Sequence, residues 1–305
     1  MEKPLISIIT INYDHPDITC DLLESLQLIS YPNIEIIVVD NASPNDDPLI
    51  IKQKFPEIKF IQSKINLGFA GGNNLAIKAA KGKYCLFINN DTEVEVGFLE
   101  PLVDKLEKNI EIGAVSPKIK FFDHPDTIQF SGQASMNPYT LRSYGYGYGA
   151  KDMGQFDKDT STFFVHGAAM MIPMDVIRKV GMMSDVYFLY YEELDWGSRI
   201  RAAGYELWYV HNSTVMHKES VSTGKLTPFK TYYMNRARII YLRRNVTGLT
   251  FYIAFLFQTF VSIPKNSMAF LLQGQKGHFF AYQKAILWHL KNIFMKNIHS
   301  NPVLE

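Results

Sequence analysis

The chain has 305 residues, 47% hydrophobic and 20% charged, ordinary values for a protein that buries a substantial core. A formal net charge of +1 gives no basic field, so a nucleic-acid partner is excluded from the reading. Cys20 and Cys85 lie far apart without C-x-x-C spacing, which fits two reduced core thiols rather than a metal or redox pair.

The opening "MEKPLISIITINY" has too short an apolar run for a secretory leader and no small-residue cleavage site, so it is read as the first strand of a cytoplasmic protein. Helical spacing follows in "DITCDLLESLQLI" (17–29), then a second buried strand, "IEIIVVD" (34–40). A helix near 46–54, the short strand "IKFIQ", a helix through "AGGNNLAIKAAKG", the strand "YCLFINN", a helix near 97–108 and the strand "IGAVSPKI" complete this part. Strands alternating with helices predict a parallel sheet covered on both faces, with ligands beyond the carboxyl ends of its strands. That rule points to Asn12 and Tyr13, to Asp40 and Asn41, and to residues 89–91.

From about 121 to 165 regularity is lost. Tyr144, Tyr146 and Tyr148 alternate with glycine there, as either a mobile aromatic loop over a ligand or an irregular hairpin. "FFVHGAAMMI" then reads as a strand, "MDVIRKVG" as a helix stopped by Gly181, "EELDWGSRIRAAG" as a helix ended at Gly204, and "YELWYV" as a strand. Beyond Pro228 the chain turns helical and apolar. The basic, aromatic "FKTYYMNRARIIYLRRN" leads into an apolar stretch whose unbroken part, 249–263, falls short of the about 20 residues that span a bilayer. Gln258, Thr259, Pro264 and Lys265 weaken a span further, and Arg243, Arg244, Lys265, Lys276, Lys284, Lys291 and Lys296 flank or follow it. The expectation is a helical surface with basic edges lying in the membrane interface; a hairpin packed on the sheet and a dimer interface are the alternatives.

An alternating α/β start invites a dinucleotide fold, but the first glycine is Gly68, so no G-x-G-x-x-G turn follows the first strand, and no phosphate-binding G-x-x-x-x-G-K-[ST] loop occurs. Four other constellations carry chemistry. Asp40 opens "DNASPND", where a strand-end carboxylate accepts a hydrogen bond from the imide of uracil or thymine, or caps a turn. "INLGFAGGNN" (65–74) places glycines and asparagines before a helix whose amides receive an anion or ribose hydroxyls, or simply turn the chain. "NND" at 89–91 offers one carboxylate and two amides, enough for a hard cation already held by phosphates, or a polar strand end. "YYEELDWGSR" (190–199) gathers Glu192, Glu193 and Asp195 at a helix start, where the dipole favours acids and a general base could stand. His217 closes "STVMH" as a metal ligand or a surface histidine; with His211 six residues away it makes no H-E-x-x-H zinc site.

Taken in order, "SIITINY", "VVDNAS", "NLGFAGGNN", "FINNDTEV", "GAAMMI", "YYEELDWGSRIRAAGY" and "VMHKES" closely resemble the inverting family-2 nucleotide-sugar glycosyltransferases, with the bacterial rhamnosyltransferase-like branch nearest. The resemblance covers about Leu5 to Arg244. It implies a GT-A, Rossmann-like α/β fold: a mixed, mostly parallel sheet with helices on both faces and a C-terminal helical extension. Residues 1–227 would form the transferase domain, 1–120 its nucleotide-sugar half and 121–227 its acceptor and catalytic half, with 228–305 a helical, membrane-associating region.

By the same resemblance Asn12 and Asp40 hold nucleobase and ribose, Asn66 and Gly68 line that pocket, and Thr10, Tyr13, Asn73 and Asn90 join the nucleotide-sugar set. Asp91 takes the metal and diphosphate position, with Asn89 in place of the family's first acid, and His217 joins it, for Mg²⁺ or Mn²⁺. Glu193 takes the position of the catalytic base, normally an aspartate, with adjacent Glu192 as the alternative. Gly167, Asp195, Trp196 and Arg199 make an acceptor and support set. The implied partners are a dTDP- or UDP-sugar, best dTDP-rhamnose, and a polysaccharide or lipid-linked glycan at the inner face of the plasma membrane, with an oligomer left open. A processive synthase would need several spanning helices and Q-x-x-R-W, and neither occurs; a non-catalytic nucleotide-sugar-binding module remains the alternative from another class.

Overall fold

The computed structural model describes residues 3–218 and 227–304. Glu219 and Ser220 of "VMHKES" lie outside the described residues. The chain opens β1 (Ile6–Asn12), α1 (Pro16–Gln27), β2 (Ile34–Asp40), α2 (Leu49–Lys54), β3 (Lys59–Gln62), α3 (Gly68–Ile77), β4 (Tyr84–Ile88), β5 (Thr92–Val94), α4 (Leu99–Lys108) and β6 (Ile112–Phe121). It continues β7 (His124–Phe130), β8 (Thr160–Ser161), β9 (Ala169–Pro173), α5 (Met174–Val180), α6 (Glu192–Ala202) and β10 (Glu206–His217). α7 (Pro228–Asn245), α8 (Gly248–Phe257), α9 (Ile263–Leu272) and α10 (Lys276–Lys291) end it, with a π-helical turn, Gln258–Ser262, joining α8 to α9.

The strands form one mixed sheet in the order β3-β2-β1-β4-β9-β6-β10-β5, with β7 paired to β6 and β8 to β10. β3, β2, β1 and β4 run parallel, as do β6 and β10, while β9 is antiparallel between them. β1 and β4 are continuous apolar runs because both sheet faces are covered, one packed around Leu22, Leu23 and Leu102, the other around Met170, Ile177 and Trp196. Cys20 and Cys85 are free and buried in these two layers. The chain thus has the GT-A architecture with a C-terminal helical region.

Three expectations change. The stretch read as irregular from 121 contains β7, whose alternation is masked by the polar start "HPDTIQ" of a strand exposed at one end. The strand read over 163–172 is confined to Ala169–Pro173, and the residues before it turn at the rim of the sheet. "YELWYV" and "STVMH" form a single strand, β10, which shifts register against β6 between Val210 and Thr214, opposite Pro117 and Lys118. Proline has no ladder N–H to offer, and β10 bulges where β6 carries one. Pro264 acts similarly in the last helices: it cannot bond the carbonyl four residues back, and the π turn immediately before it absorbs the mismatch.

Candidate active site

The register of β1 and β2 sets Asn12 beside Asp40 at the carboxyl edge, and β4 ends one strand away at Ile88. A cavity of about 540 Å³ opens there. Of the residues singled out in the sequence, Tyr13, Asn66, Gly68, Asn73, Asn90, Asp91, Gly167, Glu192, Glu193 and His217 line it. Thr10, Asn12 and Asp40 do not stand on the wall. Both are strand-end residues, Asn12 and Asp40, packed under the turn that follows β2: Asn12 Nδ2 donates to Asp40 Oδ1 at 3.0 Å, and Ser43 Oγ donates to the same oxygen at 2.5 Å. Thr10, deeper in β1, is fully buried and its hydroxyl has no partner among the described residues.

The wall residue at this edge is Asn41. Its Oδ1 accepts from Leu67 N at 2.9 Å and its Nδ2 donates to Asn66 Oδ1 and Gly68 O, both at 3.1 Å, tying the β2 end to the start of α3. A hydrogen-bonded chain runs on from here: Asn12 Oδ1 accepts from Thr19 Oγ1 at 2.8 Å, and Thr19 Oγ1 accepts from Asn90 Nδ2 at 3.0 Å. It connects the β2 turn to the turn that carries Asp91.

Asp91 is held by its backbone, whose carbonyl accepts from Lys218 N at 2.8 Å. Its Oδ1 is 3.1 Å from His217 Nε2, and His217 Nδ1 is 2.7 Å from Gln129 Oε1. An amide oxygen only accepts, so the Nδ1 proton belongs to that contact and the Nε2 lone pair faces the carboxylate. Two acceptors so close require an electropositive centre between them, a proton or a cation. Two ligands at neighbouring corners of an octahedron with bonds of about 2.1 Å would be about 3.0 Å apart. The donor pair therefore fits a hard divalent ion, although among the described residues no group of three or more His, Cys, Asp or Glu gathers as a ligand set.

On the opposite wall α6 begins. Phe188, Tyr190 and Tyr191 precede it with φ of 66°, 67° and 72°, a left-handed run that non-glycine residues rarely adopt. Its neighbours fix it: Phe188 O accepts from Phe69 N at 2.7 Å, Arg236 on α7 donates to Val186 O and Tyr187 O, and Phe188 stacks on Tyr233 at 5.0 Å. Gly68 makes the close approach feasible, since a Cβ there would fall 2.1 Å from Phe188 O. The turn presents Glu192 and Glu193 to the cavity. Burial, and then the negative charge of Glu193, push Glu192 well above the usual carboxylate range, and one of its oxygens is buried without a partner. Burial raises Glu193 to about 7, against two backbone N–H bonds that pull it down. The pair divides into a protonated acid and a carboxylate that titrates near neutrality.

Asp195, Trp196 and Arg199 lie beneath α6 and not on the cavity wall. Trp196 is buried, donating to Gly181 O at 2.8 Å. Asp195 is fully buried and accepts from Arg199 Nε, Arg244 Nε, Asn245 and the Tyr187 hydroxyl. Burial pushes its pKa up, but the guanidinium groups outweigh that and hold it below the ordinary range. These side chains anchor the helix that carries the two glutamates.

The cavity also includes residues that the sequence did not single out. Gln129 and His166 flank His217, and burial, with His217 nearby, takes His166 down to about 3, so it is neutral. Gln129 ends a strand that polar residues disguised, and His166 sits in a segment read as strand. Tyr148 and Gly145 bring the aromatic stretch to the wall, while Tyr144 and Tyr146 pack edge to face outside it. Phe229, Lys230 and Met234 come from α7. No spacing in the sequence ties α7 to the edge of the sheet.

Comparison with known proteins agrees with this architecture. The family model described as "Glycosyl transferase family 2" matches residues 7–181. The N-acetylglucosaminyl-diphospho-decaprenol L-rhamnosyltransferase of Mycobacterium tuberculosis is 23% identical over 225 residues, 67% of this chain and 72% of the relative. Among solved structures, mannosyltransferase PcManGT from Pyrobaculum calidifontis, in complex with GDP-Man and Mn²⁺, superposes with a TM-score of 0.57 at 14% identity, covering 97% of this chain and 89% of the other. GalNAc-T7 with UDP, GalNAc and Mn²⁺ gives 0.61 at 16% identity; 74% of this chain spans 45% of that one.

Proposed function

The chain belongs to glycosyl transferase family 2, and from that premise we propose that it moves a sugar, rhamnose from dTDP-rhamnose, to a hydroxyl of a polysaccharide or lipid-linked glycan, with inversion at the anomeric carbon. The observation that carries the reaction type is the pairing, around one cavity, of Glu193 with Asp91 and His217. The choice of rhamnose and of a lipid-linked acceptor draws on the name of the mycobacterial relative.

Asn41, Asn66 and the start of α3 receive the nucleoside, with Asn12 and Asp40 setting the turn behind them. Asp91 and His217 hold Mg²⁺ or Mn²⁺ at the diphosphate, with Gln129 fixing the imidazole tautomer. Such an ion, when bound, neutralises the charge that builds on the departing phosphate. Glu193 takes the proton from the acceptor hydroxyl as its oxygen bonds to the anomeric carbon and the bond to the diphosphate oxygen breaks, the electron pair leaving with the diphosphate. Protonated Glu192 adds no second negative charge beside it, so Glu193 need not compete with a neighbouring anion to ionise. A base near 7 is matched to neutral pH. The enzyme works on the cytoplasmic side, at the inner face of the plasma membrane, with its C-terminal helices turned to the bilayer.

The test is a panel of nucleotide sugars in thermal shift, with and without Mn²⁺, followed by product analysis with the best donor. Stabilisation by dTDP-rhamnose that needs the metal, and that Asp91→Ala removes, is the expected result. Metal-dependent stabilisation by another donor alone would replace rhamnose, and no donor-dependent response would reject the transferase reading.

A further inference from the structure

We infer that the outer face of α8, α9 and α10 docks on an anionic lipid bilayer, with the apolar side chains of α8 entering the interface and the lysines of α9 and α10 meeting acidic headgroups. The inference takes its location from the inner-face reading above and uses nothing of the transfer chemistry.

Charge is the first observation. Residues 228–305 hold ten Lys and Arg against one acid, Glu305, whereas residues 1–227 hold 21 against 29. A chain with a net charge of +1 has therefore gathered its positive charge in its last quarter. Arg236, Arg243 and Arg244 spend theirs inward, on backbone carbonyls and Asp195. Lys265, Lys276, Lys284 and Lys291 are exposed.

Apolar exposure is the second. Leu249, Tyr252, Ile253, Leu256 and Phe260 recur at helical spacing along α8 and the π turn, and they are 42–74% exposed. Leu272 and Phe280, either side of the α9–α10 turn, are 80% and 67% exposed. The inner sides are already taken. His289 Nε2 bonds Arg236 O at 3.0 Å between α10 and α7, and Gln283 Nε2 bonds Ser267 Oγ at 2.7 Å between α10 and α9. Gln258 reaches Thr140 O beneath α8. What remains outward is greasy and cationic.

That combination selects the occupant. A second copy seated through the same face would set lysines against lysines, with no acid among the described residues of α7 to α10 to answer them. Among the described residues no helix is long and apolar enough to cross a membrane, so the face lies on the bilayer and does not pass through it. The arrangement also aims the cavity. The α9–α10 turn is docked on the start of α7, where Thr231 Oγ1 bonds His278 Nδ1 at 2.8 Å and Gly277 packs against Pro228. Phe229 and Lys230, in that same first turn of α7, line the cavity. An amphiphilic acceptor held in the bilayer would meet the cavity at this edge.

Flotation of the whole chain with phosphatidylcholine vesicles, and with vesicles containing about one-third phosphatidylglycerol, tests this. The expected result is binding to the anionic vesicles, weakened by salt and much reduced on the neutral ones. Lys276→Glu with Lys284→Glu should lower the partition coefficient by about fivefold or more per lysine. Leu256→Glu with Phe260→Glu should abolish binding at any salt, while Lys158→Glu, far along the chain on an exposed loop, should leave it unchanged. Unaltered melting temperatures establish that the variants are folded. Equal binding to both vesicle types, binding untouched by the face variants, or a dimer that Leu256→Glu with Phe260→Glu dissociates while vesicles float without protein would overturn the inference. Donor hydrolysis measured without vesicles, in the same preparations, separates this result from failure of the transfer reading.

Discussion

His217 presents its Nε2 to Asp91 Oδ1 at 3.1 Å while its other ring nitrogen is committed to Gln129. The residue that sets the imidazole tautomer is therefore an amide at the end of β7, 88 positions from the histidine in the chain.

Gln129→Leu should weaken metal binding about 10- to 100-fold, as loss of an outer-shell partner to a ligating histidine typically does. Mn²⁺ titration monitored by paramagnetic relaxation checks this without any turnover. Affinity equal to that of the parent chain would show that Gln129 is a bystander.

Glu193→Gln should cost about 10² to 10⁴ in turnover with donor binding retained. In the parent enzyme, log kcat/KM should fall with unit slope as pH drops below about 7, because only the carboxylate accepts the proton. Stability moves the opposite way. A carboxyl raised by folding binds more protons in the native than in the unfolded chain between about 4.5 and 7, so stability falls as pH rises through that window. The glutamine variant, freed of that loss, should melt above the parent at pH 8 and with a smaller gap at pH 5. A Glu192→Gln variant that lost turnover while Glu193→Gln kept it would move the base by one position.

Gly68→Ala should distort the cavity. The added methyl meets Phe188 O, and φ of +70° disfavours any side chain. Overpacking of this kind costs about 1–3 kcal/mol, and the Phe69 to Phe188 bond goes with it. We expect a lower melting temperature and a raised donor KM, read by calorimetry and initial rates; parent-like values for both would show that the turn yields freely.

Asp195→Asn should destabilise by about 3–5 kcal/mol, since it leaves Arg199 and Arg244 facing a neutral amide in a buried site. Denaturant unfolding at pH 7 measures it. The depressed pKa adds a sign: the stabilisation is complete above the ordinary carboxylate value and is lost as pH falls through the native one. Parent and variant should converge in acid, and a constant gap down to pH 2 would contradict the ion-pair account.

Much of the fold was legible because burial on both faces writes itself as uninterrupted apolar strands, as in β1, β2 and β4. Strand ends then pointed to the cavity edge, and the ordered motifs put Asp91, His217 and Glu193 around it. What escaped depends on tertiary contact. Asp40 looked like a wall residue because it closes β2, yet Asn12 and Ser43 consume its oxygen and Asn41 takes the wall. Asp195 stood with two glutamates as a third acid of the site; only the fold brings Arg244 to it from 49 positions away. Gln129 sits on a strand whose exposed half reads as loop. The left-handed run at 188–191 has no signature at all, being imposed by Phe69, Arg236 and Tyr233.

The stack of Phe188 on Tyr233 and the reach of Arg244 to Asp195 bear on how such proteins diverge. A swap of the C-terminal helices between relatives, the easy way to retarget an enzyme to a new membrane or acceptor, would here exchange one wall of the catalytic cavity and strand a buried acid. The seam along which this chain can be recombined runs after α7, near Val246, and not before it.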